Sequence, residues 1–432
     1  MDTLPIIVWF RNDLRLHDNE ALWKASQKTT KIVPFYCFDI RQYQKLPDLQ
    51  IPKTGAFRTQ FLKEGVEDLR KNLKKLGGNL IVRVGKPEEE VCKIALETQA
   101  KVVYTSKEVT TEEIEVEKQL ENLLLKNKIE IKYFWQSTLY HLEDLPFPVH
   151  NIPEIFTNFR KEVERQTKVR TCYPSPKNLP TIDIEEGKIP TLETLGLQPS
   201  KIDKKAVIQF VGGESHGIGR LQEYIWEKDL LKNYKNTRNG LLGADYSSKF
   251  SAWLSLGFLS PRYIFEQVKS YEASRIANES TYWLIFELIW RDYFRFIAKK
   301  HGNKLFLRGG IQNQLIKTNQ DMKTFWLWAN GKTGVPFVDA NMTELNKTGF
   351  MSNRGRQNVA SFLIKDLKID WRWGASYFES KLIDYDVCSN WGNWNYIAGI
   401  GNDPRKDRYF NVSSQAQQYD PKKEYVNYWL SN

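Results

Sequence analysis

Asp384 and Asp386 flank Tyr385, and Asn390, Trp391 and Trp394 follow in the same short stretch. Asp370, Trp371, Arg372 and Trp373 lie just before it. Polar side chains crowded among large indoles make a costly core, because every buried polar atom needs a partner. That cost is relieved if a polar molecule is bound inside. It is equally relieved if the carboxylates cap helices and the indoles merely pack.

Three further groups have residue types and spacings that can do chemistry. Ser247, Ser248, Lys249 and Ser251 bring three hydroxyls and an amine to the opening of a helical run, shortly after Tyr234. Such a set can surround a phosphate with hydroxyls, amides and positive charge, although serine-rich helix starts are often caps alone. Glu287 and Arg291 stand four apart around Trp290, the spacing of an ordinary ion pair on one helix face. Asn353, Arg354, Arg356 and Gln357 follow a Gly-Phe-Met-Ser turn, and arginines at a helix start suit an anion, either a phosphate or a partner carboxylate. The histidines (His17, His141, His150, His216 and His301) show neither metal-ligand nor triad spacing, so no metal is expected. The scattered cysteines contain no CxxC and fit neither a disulfide framework nor zinc.

The elements that must position these groups fall into two patterns. Short β-branched runs at Ile6–Phe10, Ile32–Phe38, Leu80–Val84, Val102–Thr105 and Ile129–Phe134 alternate with helix-length segments near 19–26, 57–75, 88–98 and 113–126. That alternation predicts a parallel sheet wrapped by helices, and no GxGxxG follows the first strand. From 136 to 206 prolines and basic residues break the pattern, which predicts a connector laid over the surface and packed between two domains. From Val207 onward, apolar residues recur at helical spacing near 219–232, 262–271, 281–300, 325–330, 356–367 and 373–382. The expected organisation is an α/β domain over 1–135, a linker over 136–206 and a larger all-α domain over 207–432. Eleven of the 14 tryptophans follow Val207, which places aromatic chemistry in the last of these.

With 27% charged and 41% hydrophobic residues the chain is globular rather than disordered. Its 63 basic and 52 acidic side chains leave +11, which favours a polyanionic partner. No apolar run reaches the roughly 18 residues of a membrane span, and the first strand begins too early to leave room for a signal peptide. The expectation is a cytoplasmic monomer that does not associate with membranes.

The stretch 384–394, taken with Asn353-Arg354-Gly355-Arg356-Gln357, resembles the flavin pocket of the photolyase/cryptochrome family. Trp9-Phe10-Arg11-Asn12-Asp13-Leu14-Arg15 resembles that family's N-terminal signature. Gly401-Asn402-Asp403-Pro404-Arg405, continuing through Gln415-Ala416 to Tyr419-Asp420-Pro421, is similar to its DASH cryptochrome branch. The resemblance implies that the helical domain binds FAD. It assigns Tyr234, Ser247, Ser248, Lys249, Phe250 and Ser251 to the cofactor, and it brings Arg291 close to the flavin. It pairs Arg356 with Asp384 beside the ring, has Asp386 accept from the ring edge, and faces Asn390 towards N5. Asn353 is placed with the cofactor and also, with Arg354 and Gln357, on the substrate side. Glu287, Trp290 and Tyr396 complete the implied DNA surface, and Gly212-Gly213-Glu214 looks like a structural turn of the family.

Trp394 and Trp371 match the first two members of the family's electron-transfer tryptophans, but Thr318 stands where the third is expected. A threonine is not oxidised at accessible potential, so the resemblance does not supply the usual exit, with Trp326 and Trp328 close by in sequence. Glu113 matches the carboxylate that holds a 5,10-methenyltetrahydrofolate antenna in DASH members. The implied activity is light-driven splitting of cyclobutane pyrimidine dimers by an electron from reduced FAD. Tyr396 and Gln357 stand where duplex-acting relatives carry Trp and Met, which predicts a preference for dimers in single-stranded or looped DNA. A blue-light receptor that signals to a partner is the alternative, and the short stretch after Pro421 favours repair. A flavin-dependent regulator of nucleic acid without photochemistry is the third reading.

Overall fold

A computed structural model of the chain describes residues 4–180, 182–405 and 408–431. Five strands, β1 (Ile6–Phe10), β2 (Ile32–Asp39), β3 (Ile81–Gly85), β4 (Val102–Ser106) and β5 (Glu130–Phe134), form one sheet in the order β3-β2-β1-β4-β5. Every pairing is parallel, beginning with Ile6 opposite Ile32 on one side and Val102 on the other. The crossover helices are α1 (Glu20–Lys28), α2 (Ala56–Lys75), α3 (Pro87–Glu97) and α4 (Thr111–Lys126). The expected strands and helices of this half are therefore present, with ends displaced by one or two residues. β1 is buried throughout, as a central parallel strand covered on both faces must be.

Residue alternation divides that burial between two cores. Ile7, Trp9, Val33, Phe35 and Val103 pack with Val91, Ile94, Leu120 and Leu124 of α3 and α4. Ile6, Val8, Phe10, Tyr36 and Tyr104 belong instead to a second, continuous core that runs into the helical half. The segment 136–206 carries a helix of its own, α5 (Phe156–Gln166), with Phe156 and Phe159 buried, and Val82 of β3 donates to the Glu186 carbonyl at 2.8 Å. The connector thus covers the β3 edge of the sheet, which would otherwise present unpaired backbone. Three of its arginines are paired: Arg160 with Glu164, Arg165 with Glu162, and Arg170 with Glu143 and Asp144.

The helical half comprises α6 (Glu214–Gln222), α7 (Tyr234–Thr237), α8 (Ser251–Ser255), α9 (Pro261–Ser274), α10 (Glu279–His301), α11 (Met322–Ala329), α12 (Pro336–Thr348), α13 (Asn353–Ser361), α14 (Trp371–Lys381), α15 (Val387–Ala398), α16 (Val412–Tyr419) and α17 (Glu424–Leu430). α7, α12, α15, α16 and α17 are absent from the helical spacing read in the sequence. α15 is the instructive case: Asn390, Asn395, Gly392 and both tryptophans are buried alongside its apolar residues, so no clean apolar stripe marks it. The helices expected over 219–232 and 356–367 change pitch in π-turns at Glu223–Glu227 and Phe362–Asp366.

Buried polar contacts join the two halves. Arg15 donates to the carbonyls of His17, Asp18, Gln136 and Gly257, each at 3.0 Å. Asp18 grips Arg262 at 2.6 and 2.9 Å. Glu214 accepts from the backbone of Leu16 and His17 and binds the His17 ring at 2.5 Å, so the turn before it is structural. The carboxyl of Asp292 accepts from the backbone of Leu139 and Tyr140. Among the described residues, no helix is long and apolar enough to cross a membrane, and no three His, Cys, Asp or Glu stand together to hold a metal.

Candidate cofactor and substrate site

A cavity of about 530 Å³ opens among α7, α8, α10, α13 and α15, within the range of small-molecule sites. Asp386 is the N-cap of α15 and accepts from the Ser389 backbone at 2.8 Å, which sets the first turn of the helix beside the cavity. Asp384, just before it, receives both bonds from one Arg356 nitrogen, at 2.9 and 3.0 Å. The Ser251 hydroxyl donates to the same carboxylate at 2.7 Å, tying α8 to the strap before α15. Burial opposes ionisation of Asp386, yet Arg291 and Arg295, at 3.9 and 3.8 Å, outweigh it and hold the carboxyl below the usual range.

Asn390, one turn into α15, donates through its amide to the Ala375 carbonyl at 3.1 Å and lines a smaller recess with Trp394. Trp394 is buried against Phe378, with centroids 5.2 Å apart, and its indole lies over Gly374 of α14, where a Cβ would collide with it. Trp371 is fully buried, stands edge-on to Trp391 at 5.7 Å, and donates to the Arg308 carbonyl at 3.1 Å. Arg308 in turn reaches the Thr318 hydroxyl at 3.0 Å, so Thr318 does stand beyond Trp371. An aromatic series leaves Trp394 through Trp328 (6.4 Å), Tyr377 (5.9 Å) and Trp326 (6.2 Å), which is half-buried.

Tyr234, Ser247, Ser248, Lys249, Phe250 and Ser251 all line the cavity, as do Arg291, Asn353, Arg356, Asp384 and Asp386. So do the substrate-side residues Glu287, Trp290, Gln357 and Tyr396. Glu287 and Arg291 do not pair with each other. Glu287 binds Arg238 at 2.5 Å, and burial raises its carboxyl against the pull of that arginine. Arg291 donates to the Ser137 and Leu254 carbonyls. Trp290 stacks on Phe156 at 3.6 Å and meets Tyr396 edge-on at 6.0 Å. Arg354 lies outside the lining, held by Gln357 (2.9 Å), Asn239 (3.1 Å) and the Tyr419 ring. Glu113 lies elsewhere, at the start of α4, half-buried and accepting from the hydroxyl of the N-cap residue Thr110.

The sequence reading left Arg238, Tyr246, Ser389, Arg405 and Arg408 without roles, and all of them line the cavity. Arg408 donates to the Tyr396 hydroxyl at 2.7 Å and is fixed from behind by buried Asp403. Arg408 and Tyr396 stand 12 residues apart in the chain, so no sequence spacing reveals the contact.

The lining fits FAD. Lys249 Nζ is buried with no hydrogen-bond acceptor and the Tyr246 hydroxyl is buried without a partner, beside the hydroxyls of Ser247 and Ser248. An unpartnered amine among hydroxyls suits a diphosphate, and the Arg356–Asp384–Asp386 cluster near Asn390 suits a ring edge with donors and acceptors.

Residues 6–180 match DNA photolyase, and residues 283–432 match the FAD binding domain of DNA photolyase. A cryptochrome DASH of Gloeobacter violaceus is 55% identical over 431 residues, covering 100% of this chain and 86% of that protein. The crystal structure of a Synechocystis cryptochrome superposes with a TM-score of 0.95 at 52% identity, covering 100% of this chain and 89% of that one. A bacterial class III photolyase from Agrobacterium tumefaciens superposes with a TM-score of 0.86 at 28% identity, covering 99% and 87%. With a parallel-sheet domain, a helical FAD-binding domain and relatives of this identity along its whole length, the chain belongs to the photolyase/cryptochrome family, in its DASH cryptochrome branch.

Proposed function

We propose that the chain is a light-driven photolyase that repairs cyclobutane pyrimidine dimers, mainly in single-stranded or looped DNA. The observation that carries this reading is a single cavity lined both by Asp384, Arg356 and Asp386 and by Glu287, Trp290, Tyr396 and Gln357. Reduced FAD, when bound, supplies the electron that opens the dimer and takes it back, so no net redox change results. The chain's residues do the rest. Ser247, Ser248, Lys249 and Ser251 hold the cofactor, and Arg356 with Asp384 fixes the ring edge. Asn390 offers an uncharged contact at N5. Trp290 and Tyr396 supply apolar faces for an extruded lesion, while Glu287 offers hydrogen bonds to its base edges.

The preference for single strands follows from magnitudes. Stacking is worth about 1–3 kcal/mol per base, and extruding a base from a duplex costs a few kcal/mol. Tyr396 has less stacking surface than an indole, and its hydroxyl is committed to Arg408. Gln357 adds a polar group that must stay paired, here to Arg354. The duplex cost is then not recovered, whereas a single strand has little of it. Illuminating the reduced protein with dimer-containing oligonucleotides tests the proposal: single strands should be repaired much faster than duplex. Equal rates would refute the pocket argument, and no repair of either would assign the chain to blue-light signalling.

We further propose a folate antenna, 5,10-methenyltetrahydrofolate, held at Glu113, and a cytoplasmic monomer as the working form. A near-ultraviolet absorption band in the purified protein, lost in Glu113→Gln, would support the antenna.

A further inference from the structure

Asp386 lines the cavity, and one of its oxygens is already spent: Oδ1 accepts from the Ser389 backbone at 2.8 Å. Its Oδ2 meets Arg295 at 3.8 Å and Arg291 at 3.9 Å, within ion-pair range but beyond a hydrogen bond. Two guanidinium groups thus stand beside this oxygen without bonding to it.

Each is held by other partners. Arg291 donates to the Ser137 and Leu254 carbonyls. Arg295 of α10 is bound by Glu108, from the loop between β4 and α4, and both residues are 4% exposed. The Arg295 Nε has no acceptor, so this guanidinium has a donor to spare for a carboxylate that comes within reach. Glu108 is anchored in the α/β half. Its backbone donates to Glu117 Oε1 at 2.9 Å, and Glu117 binds Arg11 at 2.6 Å and Lys107 at 2.5 Å. Burial raises the Glu108 carboxyl, and the charges of Arg295 and Arg11 oppose the rise.

We propose that Glu108 is a positioning residue for the flavin ring: from the α/β half it holds Arg295 off Asp386, so that Oδ2 stays free to accept from the ring edge. The proposal rests on FAD occupying the cavity, which Glu108 itself does not line. Without the Glu108 carboxylate, Arg295 is free to close on Asp386, and its charge is no longer offset. Both changes favour the flavin form that carries more negative charge, which is the reduced one.

The midpoint potential of bound FAD, measured in the dark against redox mediators in full-length protein, tests this. Glu108→Gln should raise it enough to increase the reduced-to-oxidised ratio about tenfold at a fixed ambient potential. Arg295→Gln should lower it, because Asp386 and Glu108 then share one cation fewer. The Glu108→Gln, Arg295→Gln double variant strands no charge and should return close to the wild-type value. Glu108→Asp keeps the charge but shortens the reach. It should shift the potential upward by less, and it decides the matter if the neutral single variants fail to fold. Single variants that shift the potential in the same direction, a double variant that keeps either single shift, or a wild-type potential in Glu108→Asp would each overturn the proposal while leaving the cavity reading intact. A chain that binds no FAD at all would overturn both.

Discussion

Asn390 is nearly buried and uses its amide to hold the Ala375 carbonyl of α14. Replacement by aspartate removes that donor and sets a carboxyl in a recess shared with Asp384 and Asp386. Asn390→Asp should therefore alter the absorption spectrum that develops under illumination. It should also cost about 1–3 kcal/mol of stability, the penalty for leaving a buried carbonyl unpaired. Coincident illuminated spectra of the two proteins would show that Asn390 does not face the ring. Glu287 teaches a different lesson at this scale. Its spacing from Arg291 suggested a partner one turn away, yet the ion pair is made with Arg238 from another element. Helical spacing identifies possible neighbours, and packing chooses among them.

At the scale of elements, α14 and α15 pack so closely that Gly374 has no room for a side chain beneath the Trp394 indole. α11 adds Trp326 and Trp328 on the far side, linked through Tyr377 of α14. Ring contacts thus lead away from Trp394 towards Trp326, whereas Trp371 meets Trp391 and the Arg308 carbonyl, with Thr318 beyond. Trp394→Phe should slow flavin photoreduction at least about tenfold, the effect of roughly 1.4 kcal/mol on a barrier. Trp326→Phe should also impair it if those ring contacts form the exit, whereas Thr318→Trp should help or change nothing. Full photoreduction in a Trp394→Phe, Trp371→Phe double variant would sink the scheme.

At the scale of the whole molecule, the two halves are locked by charges that would be expensive to leave alone. Asp18 and Arg262 are both buried, and their bidentate contact joins the loop after β1 to the start of α9. Asp18→Asn tolerates the left-handed backbone at that position but strands the guanidinium. It should destabilise the protein by about 3–5 kcal/mol, measured as a shift in the denaturant midpoint. The net charge of +11 acts at the same scale, on a polyanion rather than on the fold. Binding of single-stranded DNA should weaken with salt, and Arg405→Ala should lower the slope of log affinity against log salt by about 0.7 if that side chain neutralises one phosphate. Arg405 lines the cavity and its side chain is 69% exposed, so its loss should leave the core intact.

By itself the sequence determined the parallel sheet, because β-branched runs alternating with amphipathic segments have few other ways to bury both faces of each strand. It also named many of the residues that line the cavity, since those lie in short stretches whose order can be read directly, but not Arg238, Tyr246, Ser389, Arg405 or Arg408. α15 was not legible as a helix, because polar and apolar residues alike are buried along most of it and leave no clean stripe. The tertiary structure alone decided the pairings that sequence spacing does not show: Glu287 with Arg238, and Arg408 with Tyr396. The physical reason is range. Periodicity and capping act within a few residues, whereas charges in a low-dielectric interior act on whatever the fold brings near, regardless of distance along the chain.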